Sequence, residues 1–454
     1  MENIWTKYNF EEKKQIVNLA ENYKNFISNC KTERECVFEI INQAKKYGFV
    51  DLKEKNTLLP GDKIYFNNMN KNVALFVIGS EPLENGFRII ASHIDSPRID
   101  LKPKPIYEKN DLVYFNTHYY GGIKNYQWLS MPLAIHGLII KNDGTRINLN
   151  IGEKDNDPVF AITDLLPHLA KEQLEKEANK FIDSEKLDLL ISSMPNQESV
   201  KDNLLNIIKK QYNILENDFL SAEIEIVPAF KARDLGFDRS MIIGYGHDDR
   251  SCAYSSFQAI LNVKNPTRTC ACLFVDKEEI GSVGASGMQS KFFYNCICEL
   301  MNLTSNNSLV NINRLLTNSQ VLSSDVNAAY DPLYDDVMDK DNSSYLNKGL
   351  ALNKYTGSKG KNSASDANCE YVARIRNIFE KNNVSYQLSE LGKVDIGGGG
   401  TIAYILANYN MEVIDCGIPV LCMHAPYEII SKADLYEAYK GYFVFYNNIN
   451  LTFN

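Results

Sequence analysis

The sequence predicts an α/β protein whose central sheet is largely parallel and carries helices on both faces, with one inserted domain. From about residue 230 onward, strand-like and helix-like segments alternate, which is typical of parallel strands joined by crossover helices. Residues 105–229 interrupt this alternation, and 454 residues exceed the length of one ordinary compact domain. We therefore assign residues 1–104 and 230–454 to one α/β domain and residues 105–229 to an inserted, β-rich domain.

The N-terminal part of the chain predicts helices followed by strands. Residues 1–47 have helical periodicity, and Thr32 followed by acidic residues is typical of the start of a second helix. Two apolar runs rich in β-branched residues then predict strands at 72–80 and 86–93.

The inserted segment predicts one hairpin and two helices. Residues 134–152 have the pattern of a hairpin that turns at Asn142-Asp143-Gly144, a favoured tight-turn sequence. The charged stretches 171–180 and 200–212 predict helices. This segment shows no dense group of catalytic residue types, so we do not expect it to carry the main chemistry.

The C-terminal half supplies the remaining elements of the α/β domain. The predicted strands are 241–245, 269–275, 320–324, 384–388 and 412–416, and the predicted helices are 252–262, 285–300, 364–381, 401–408 and 432–446. The four glycines at 397–400 lack the Lys-Ser/Thr ending of a phosphate-binding loop, so they predict a close-packed turn.

Composition and charge narrow the range of functions. Hydrophobic residues make up 44% and charged residues 23%, as in an ordinary soluble enzyme, and the net charge of −9 disfavours nucleic acid and anionic membranes as partners. No window reaches the roughly 20 apolar residues of a membrane span, and the N-terminus lacks the apolar core of a secretory signal. These features predict a cytoplasmic protein.

The ten cysteines have spacings unlike those of a zinc module. Cys270 and Cys272 are separated by one residue, as are Cys296 and Cys298, whereas zinc knuckles use two to four. We interpret them as small buried hydrophobic residues in a reducing compartment.

One histidine and one aspartate at a predicted strand end are candidates for chemistry. His93 ends the strand at 86–93, and Asp95 follows two residues later. In extended structure these two side chains point to the same side, so Asp95 is placed to orient the imidazole or a metal-bound group.

Further acids and a histidine follow later predicted strands. They are Asp248 and Asp249 after 241–245, Glu278 and Glu279 after 269–275, Asp325 after 320–324, and His424 after the apolar run 418–423. The carboxyl ends of strands line the ligand crevice of an open α/β sheet, so we expect these side chains to converge. Each has a structural alternative: a surface histidine, a solvated acidic turn, or acids that favour a helix N-terminus.

Several carboxylates in one cleft require a cation to offset their charge. A set of His, Asp and Glu ligands without cysteine suits zinc first, then cobalt or manganese. Five ligands with one bridging aspartate would hold two metals about 3.5–4 Å apart, as in hydrolytic metal pairs. The paired glutamates fit a division into one ligand and one general base, and the residues by themselves leave open which is which.

Five motifs in this order resemble a known family of metallopeptidases. They are Ala91-Ser92-His93-Ile94-Asp95-Ser96-Pro97, Gly246-His247-Asp248-Asp249-Arg250, Asp276-Lys277-Glu278-Glu279-Ile280-Gly281-Ser282, Ser323-Ser324-Asp325 and Met423-His424. The sequence is similar to aspartyl aminopeptidase, vacuolar aminopeptidase I and the bacterial aminopeptidase 1 enzymes, which have a di-zinc core. The similarity runs over most of the chain and is densest from Val227 to Ser290.

The resemblance implies a role for each site residue. His93, Asp248 and Asp325 would hold one metal, and Asp248, Glu279 and His424 the other, with Asp248 bridging. Glu278 matches the general base of the family, and Asp95 its supporting carboxylate. The resemblance also implies that residues 105–229 form a dimerisation domain and that dimers assemble into a tetrahedral homododecamer.

Two positions depart from the family pattern. Many relatives carry a histidine in a Trp-His segment of the inserted domain that reaches a neighbouring active site, but residues 121–128 contain none. Tyr126 is the nearest candidate to replace it. His247 lies beside Asp248 but matches no family ligand, so we expect it to pack locally.

These observations predict a di-zinc aminopeptidase that hydrolyses the N-terminal residue of short peptides, with neutral or broad first-residue preference. One alternative is an aspartyl aminopeptidase that prefers Asp or Glu, because a lysine of the stretch 348–361 could pair with a substrate carboxylate. A solvated basic loop explains these lysines at least as well: Lys348, Lys354, Lys359 and Lys361. Further alternatives are a carboxypeptidase or deacylase on the same metal core, and an inactive assembly protein of this fold.

Overall fold

The structure is a computed structural model that describes residues 2–304, 307–362 and 364–448. The chain forms two compact units. The first unit comprises Met1–Asp95, Ala232–Met423 and Glu428–Asn454, and the second comprises Ser96–Lys231 and His424–Tyr427. Within the described ranges, no helix is long and apolar enough to cross a membrane.

The helices are numbered in chain order. They are α1 Ile4–Lys7, α2 Phe10–Asn29, α3 Glu33–Lys46, α4 Lys171–Leu174, α5 Val200–Tyr212, α6 His247–Leu261, α7 Phe292–Asn302, α8 Leu309–Asn318, α9 Cys369–Lys381, α10 Ala403–Ala407 and α11 Lys432–Asn447. Thr32 caps α3 as predicted, because its side chain accepts from the N–H of Glu35 while the Glu35 side chain reaches back to the cap.

The strands are numbered in the same way. They are β1 Val50–Asp51, β2 Lys63–Asn68, β3 Asn72–Val77, β4 Arg88–His93, β5 Arg98–Lys109, β6 Leu112–Tyr120, β7 Leu133–Ile140, β8 Arg146–Ile151, β9 Leu189–Ser192, β10 Ala222–Pro228, β11 Arg233–Leu235, β12 Met241–Gly244, β13 Cys270–Val275, β14 Gln320–Ser323, β15 Asn327–Ala328, β16 Leu350–Asn353, β17 Tyr386–Leu388, β18 Glu412–Gly417, β19 Pro419–Leu421 and β20 Glu428–Ser431.

A nine-stranded sheet forms the centre of the first unit, in the order β1-β2-β3-β13-β4-β14-β18-β16-β17. Its middle strands β13, β4, β14 and β18 are parallel to one another. The pairs β2/β3, β3/β13 and β16/β18 are antiparallel. The α/β fold class is confirmed, and the sheet is mixed, with four mutually parallel strands at its centre and a further parallel pair at each edge.

Both faces of this sheet are covered by helices, as predicted. Along β13, Cys272 and Phe274 pack in a core with residues of α2, α3, α6, α9 and α11, whereas Ala271 and Leu273 pack in a core with residues of α7, α8 and α10. Successive residues of a strand point to opposite faces, so a strand buried on both sides must be apolar at every position. Cys270 and Cys272 are fully buried, which agrees with their interpretation as small hydrophobic residues.

The first unit contains a second, five-stranded sheet in the order β11-β12-β20-β19-β15. In this sheet β12 pairs antiparallel with β11 and β20. The sequence predicted that the strand before Asp248 lies in the central sheet, and this expectation is wrong. Four residues of strand do not reveal their pairing partner, because short apolar runs fit either sheet.

The second unit is built on a six-stranded antiparallel sheet in the order β8-β7-β10-β5-β6-β9. The predicted hairpin is β7 and β8, and the predicted helix at 200–212 is α5. The long β5 begins at Arg98 and pairs with β6 and β10, which explains why this unit begins at Ser96. The predicted helix at 171–180 ends at Leu174 because its side chains are almost all exposed and no apolar face holds it in place.

The glycine run at 397–400 forms the predicted close-packed turn. A Cβ at Gly397 would lie 1.8 Å from the carbonyl oxygen of Leu391. At Gly398, φ is +136° and a Cβ would lie 2.5 Å from the carbonyl oxygen of Gly357. Only glycine allows backbone to approach backbone this closely.

Candidate metal centre

Three neighbouring strands of the central sheet bring predicted residues to one edge. Strand β4 ends at His93, which is paired with Val275 at the end of β13. On the other side of β4, Ser323 ends β14 beside Ala91, two residues before Asp325. The chain after β13 turns at once through Glu278 and Glu279, at the start of a short 3-10 helix. Parallel strands end at the same edge, so these side chains meet.

Asp248 and Asp249 reach the same place from the second sheet. After β12 the chain passes through Gly246, whose φ is +76° and whose Cβ would lie 2.7 Å from the Arg250 guanidinium. Asp248 has non-helical φ and ψ of −78° and 109°, and a cis peptide bond joins it to Asp249. The Asp248 N–H donates to Glu428 Oε2 at 3.0 Å.

The first unit therefore brings six predicted residues together: His93, Asp95, Asp248, Glu278, Glu279 and Asp325. His93 Nε2 lies 3.1 Å from Asp248 Oδ1 and 3.9 Å from Asp325 Oδ1. One ligand atom from each of His93, Glu278 and Glu279 lies within 4.8 Å of the others. These side chains are separated by up to 232 positions, from residue 93 to 325.

Asp95 holds two parts of this centre in place. Its main-chain carbonyl oxygen lies 3.0 Å from His93 Nδ1, and its side-chain Oδ1 lies 3.3 Å from the same nitrogen. The same carboxylate accepts the main-chain N–H of Glu278 and that of Glu279, each at 3.2 Å. Asp95 is 1% exposed, so its charge is stabilised by these contacts in place of water.

The electrostatics of the centre are those of crowded, buried carboxylates. Burial raises the pKa of Asp325 well above its usual value, and repulsion from Asp249 adds to the effect. Burial opposes the charged form of His93, but hydrogen bonds with Asp248 and Asp95 outweigh it and raise the pKa of the imidazole. A proton and a metal ion compete for the same imidazole lone pair.

Asp249 also lies in this centre. It is the second residue of the acidic pair, and the sequence assigned no role to it. It is fully buried, and its Oδ2 accepts the main-chain N–H of His93 at 3.3 Å. One ligand atom from each of His93, Asp249 and Asp325 lies within 4.8 Å of the others. The acidic pair itself was the only sequence signal, and a pair of acids is usually a solvated turn.

His424 belongs to the second unit, in the tetrapeptide His424–Tyr427 that follows Met423 in the chain. Its Nδ1 lies 3.0 Å from the carbonyl oxygen of Gly122, in the same unit. If the ring donates its Nδ1–H to that carbonyl, Nε2 keeps its lone pair for a metal ion. Gly122 lies in the stretch 121–128, and nothing in the sequence pointed to this role.

The structure also places the two residues discussed as departures from the family pattern, His247 and Tyr126. His247 is fully buried, its Nδ1 lies 2.7 Å from the Tyr23 hydroxyl, and burial lowers its pKa to about 3, so it packs locally as a neutral ring. Tyr126 lies in a short 3-10 helix, Asn125–Trp128, of the second unit and is 45% exposed.

The donor set fits zinc. Imidazole nitrogen and carboxylate oxygen are ligands that zinc accepts, and the carboxylates lie close enough together to need a cation. The main-chain N–H groups of His93, Asp248 and the paired glutamates are each held by another carboxylate, which is the support that metal ligands receive in proteins.

Over residues 26–446 the sequence matches the protein family described as Aminopeptidase I zinc metalloprotease (M18). The chain belongs to this family. The M18 chain is 56% identical over 455 residues to a probable M18 family aminopeptidase 1 of Clostridium acetobutylicum, with 98% of each sequence covered. It is 44% identical over 449 residues to a probable M18 family aminopeptidase 1 of Thermotoga maritima, with 97% of each covered.

Solved structures agree with this assignment. The crystal structure of an M18 aminopeptidase from Thermotoga maritima has a TM-score of 0.95 and 43% identity, and covers 99% of both chains. Aminopeptidase I from Clostridium acetobutylicum has a TM-score of 0.92 and 54% identity, and covers 98% of this chain and 99% of its own. The S. cerevisiae mApe1 dodecamer, with a TM-score of 0.76 and 21% identity over 94% of this chain and 95% of its own, shows the fold alone. This M18 protein is an aminopeptidase and a zinc metallopeptidase.

Proposed function

We propose that this M18 aminopeptidase removes the N-terminal residue of short peptides by a two-metal hydrolysis, with neutral or broad preference for the first residue. The observation that supports this most strongly is the contact of His93 Nε2 with the carboxylates of Asp248 and Asp325 beside the turn that carries Glu278 and Glu279. An imidazole among several carboxylates is a donor set for divalent metals used in hydrolysis.

In this proposal each metal has three protein ligands. His93, Asp248 and Asp325 would hold one ion, and Asp248, Glu279 and His424 would hold the other, so that Asp248 would serve both. Zinc is the first choice, with cobalt or manganese as substitutes. When bound, the metals supply Lewis acidity that polarises a peptide carbonyl and lowers the pKa of a water molecule toward ~7.

The protein residues then perform the proton transfers. Glu278 accepts the proton of the attacking water and delivers it to the leaving amine. Glu278 is suited to this task because it lies beside the ligand Glu279 on a turn whose N–H groups are held by Asp95. Asp95 also orients His93, so one carboxylate aligns a ligand and the general base together.

The basic stretch 348–361 supports a neutral or broad preference. Lys354 Nζ lies 2.6 Å from Asp366, and Lys361 Nζ lies 3.3 Å from the same carboxylate. Lysines already paired within a half-exposed loop are poorly suited to bind the carboxylate of an acidic first residue. A preference for Asp or Glu is therefore the second candidate.

A panel of amino acid anilides tests the reaction type and the preference together. We expect release from unblocked Leu, Ala and Met anilides, loss of activity with a zinc chelator, and recovery when zinc is restored. Anilides of Asp and Glu should be hydrolysed more slowly. Cleavage of only N-acetylated substrates would favour a deacylase or carboxypeptidase, and chelator-resistant cleavage would contradict the metal mechanism.

Self-assembly is a second part of the proposal. We propose that the second unit mediates dimerisation and that dimers form a tetrahedral homododecamer in the cytoplasm. This unit exposes several large apolar side chains, at 50–69% of their surface: Leu165, Leu166, Leu169 and Leu174. Exposed apolar residues grouped in one segment are typical of protein interfaces. Light scattering should give a mass near twelve chains, and a monomer would contradict assembly.

A further inference from the structure

The main chain at Asp248 is held by a carboxylate that belongs to none of the predicted site residues. The Asp248 N–H donates to Glu428 Oε2 at 3.0 Å, and Glu428 is 1% exposed. Asp248 and Glu428 lie 180 positions apart in the sequence. A buried N–H outside a regular helix needs a partner, and an ionised carboxylate is a strong one.

Pairing of two short strands places Glu428 at this position. Strand β20 begins with Glu428, which is paired with Gly244 at the end of β12. From Gly244 the chain reaches Asp248 in four residues, through the left-handed Gly246. The sheet register therefore sets the distance between the Glu428 carboxylate and the segment that precedes α6.

The backbone at Asp248 does not adopt the helical geometry of the rest of α6. Its φ and ψ of −78° and 109° lie outside the helical range, although Asp248 stands in the first turn of α6. Its Oδ1 nevertheless has a defined position, 3.1 Å from His93 Nε2. We infer that the bond from the Asp248 N–H to Glu428 helps to fix the main chain from which this carboxylate extends.

We propose that Glu428 is a positioning residue for the metal centre: through the main-chain N–H of Asp248 it sets the position of the carboxylate shared by the two metals. The inference rests on the proposed ligand role of Asp248. A bridging ligand must satisfy two ions at once, so a small displacement weakens both sites. Partners that orient metal ligands typically change metal affinity about 10–100-fold when they are lost.

Zinc affinity tests this role directly. We expect Glu428→Ala to bind zinc about 10–100-fold more weakly than the native enzyme, measured by competition with a chromophoric chelator. Glu428→Gln keeps an oxygen that can accept the N–H of Asp248, so its affinity should stay within about threefold. The visible absorption of the cobalt-substituted enzyme should change in Glu428→Ala and remain native-like in Glu428→Gln, because that spectrum reports ligand geometry.

A matched control separates positioning from general stability. Glu437 is also a buried glutamate, and its Oε2 accepts the main-chain N–H of Ser385 at 2.7 Å, away from the centre. Glu437→Ala should lower the melting temperature but leave zinc affinity native. If Glu428→Ala keeps native zinc affinity, or if Glu428→Gln loses as much zinc affinity as Glu428→Ala, the positioning role is overturned.

One more variant distinguishes failure of this inference from failure of the proposed function. Asp248→Ala should lose zinc more severely than Glu428→Ala. If Asp248→Ala retains native zinc affinity, the proposed ligand set itself is wrong. If Asp248→Ala loses zinc while Glu428→Ala does not, the ligand set stands and only the role of Glu428 is rejected.

Discussion

The Asp95 carboxylate lies 3.3 Å from His93 Nδ1, so the ring is turned with Nε2 toward the carboxylates of Asp248 and Asp325. These two residues lie only two positions apart at the end of a strand, which is why the pair was visible in the sequence. The same carboxylate also accepts two main-chain N–H groups from the turn after β13. One buried acid thus joins two strand ends of the central sheet.

Replacing Asp95 with Ala should weaken zinc binding about 10–100-fold and lower kcat. The glutamate turn loses the carboxylate that holds it, and His93 Nδ1 keeps only the main-chain carbonyl of residue 95 as a partner. Zinc content after dialysis and kcat on an amino acid anilide measure the two effects. Asp62→Ala is a suitable control, because Asp62 also accepts a main-chain N–H, from Leu59, outside the centre. Native zinc content in Asp95→Ala would contradict this prediction.

The adjacent glutamates should differ in what their replacement removes. Glu278→Gln removes the proposed general base and should lower kcat about 10²–10⁴-fold while zinc content stays native. Glu279→Gln removes a proposed ligand and should lower zinc content toward one ion per chain. Metal analysis and steady-state kinetics on the same preparations compare the two variants. The reverse pattern would exchange the two roles.

Removal of zinc should destabilise the folded enzyme. The carboxylates around His93 repel one another when no cation offsets their charge, and a ligand that binds only the folded state stabilises it. At free zinc of 100 times its dissociation constant, the stabilisation is about 2.7 kcal/mol for one site. Calorimetry should show a melting temperature that falls with chelator and rises with free zinc. A melting temperature independent of zinc would contradict a metal centre in this cluster.

Lysines of the stretch 348–361 should not control the first-residue preference. Lys354 and Lys361 both pair with Asp366 and are 44% and 43% exposed. Lys354→Ala and Lys361→Ala should therefore leave the ratio of kcat/KM for Glu and Leu anilides within about fivefold, since exposed ion pairs contribute roughly 0–1 kcal/mol. A tenfold loss of activity on the Glu anilide alone would favour the acidic preference.

Asp415 should make the stability of the enzyme depend on pH. Burial raises the pKa of Asp415 from 3.8 to about 6, although its Oδ1 accepts a hydrogen bond from Thr401 at 2.7 Å. Between about pH 4 and pH 6 this carboxyl group is ionised in the unfolded chain but still protonated in the folded protein. The free energy of unfolding therefore falls as the pH rises from about 4 to 6, and above that range this group no longer changes it. The total effect is about 1–3 kcal/mol.

Asp415→Asn keeps an acceptor for Thr401 but cannot ionise, so it should remove this part of the pH dependence. Melting temperatures of the native and variant enzymes at pH 4, 5, 6 and 7 measure it. The melting temperature of the variant should rise relative to that of the native enzyme as the pH increases from 4 to 6. Parallel curves across this range would show that Asp415 does not titrate there.

Much of the fold followed from local patterns in the sequence. The apolar runs that became β3, β4, β13, β14 and β18 were predicted to within a few residues, because strands buried on both faces are apolar throughout. Pairing partners were harder to predict. The strand before Asp248 joined the five-stranded sheet and not the central one, since pairing is decided by contacts distant in sequence.

The sequence by itself determined the chemical types at the centre and their order, because histidine and acidic residues at strand ends are set by local composition. It also determined the family, through motifs spread over most of the chain. Apart from the local pair of His93 and Asp95, the tertiary structure alone decided which carboxylate supports which site residue. Asp249 accepts the N–H of His93, and Glu428 that of Asp248, across 156 and 180 positions. Such hydrogen bonds depend on the packing of whole sheets, and no local pattern encodes them.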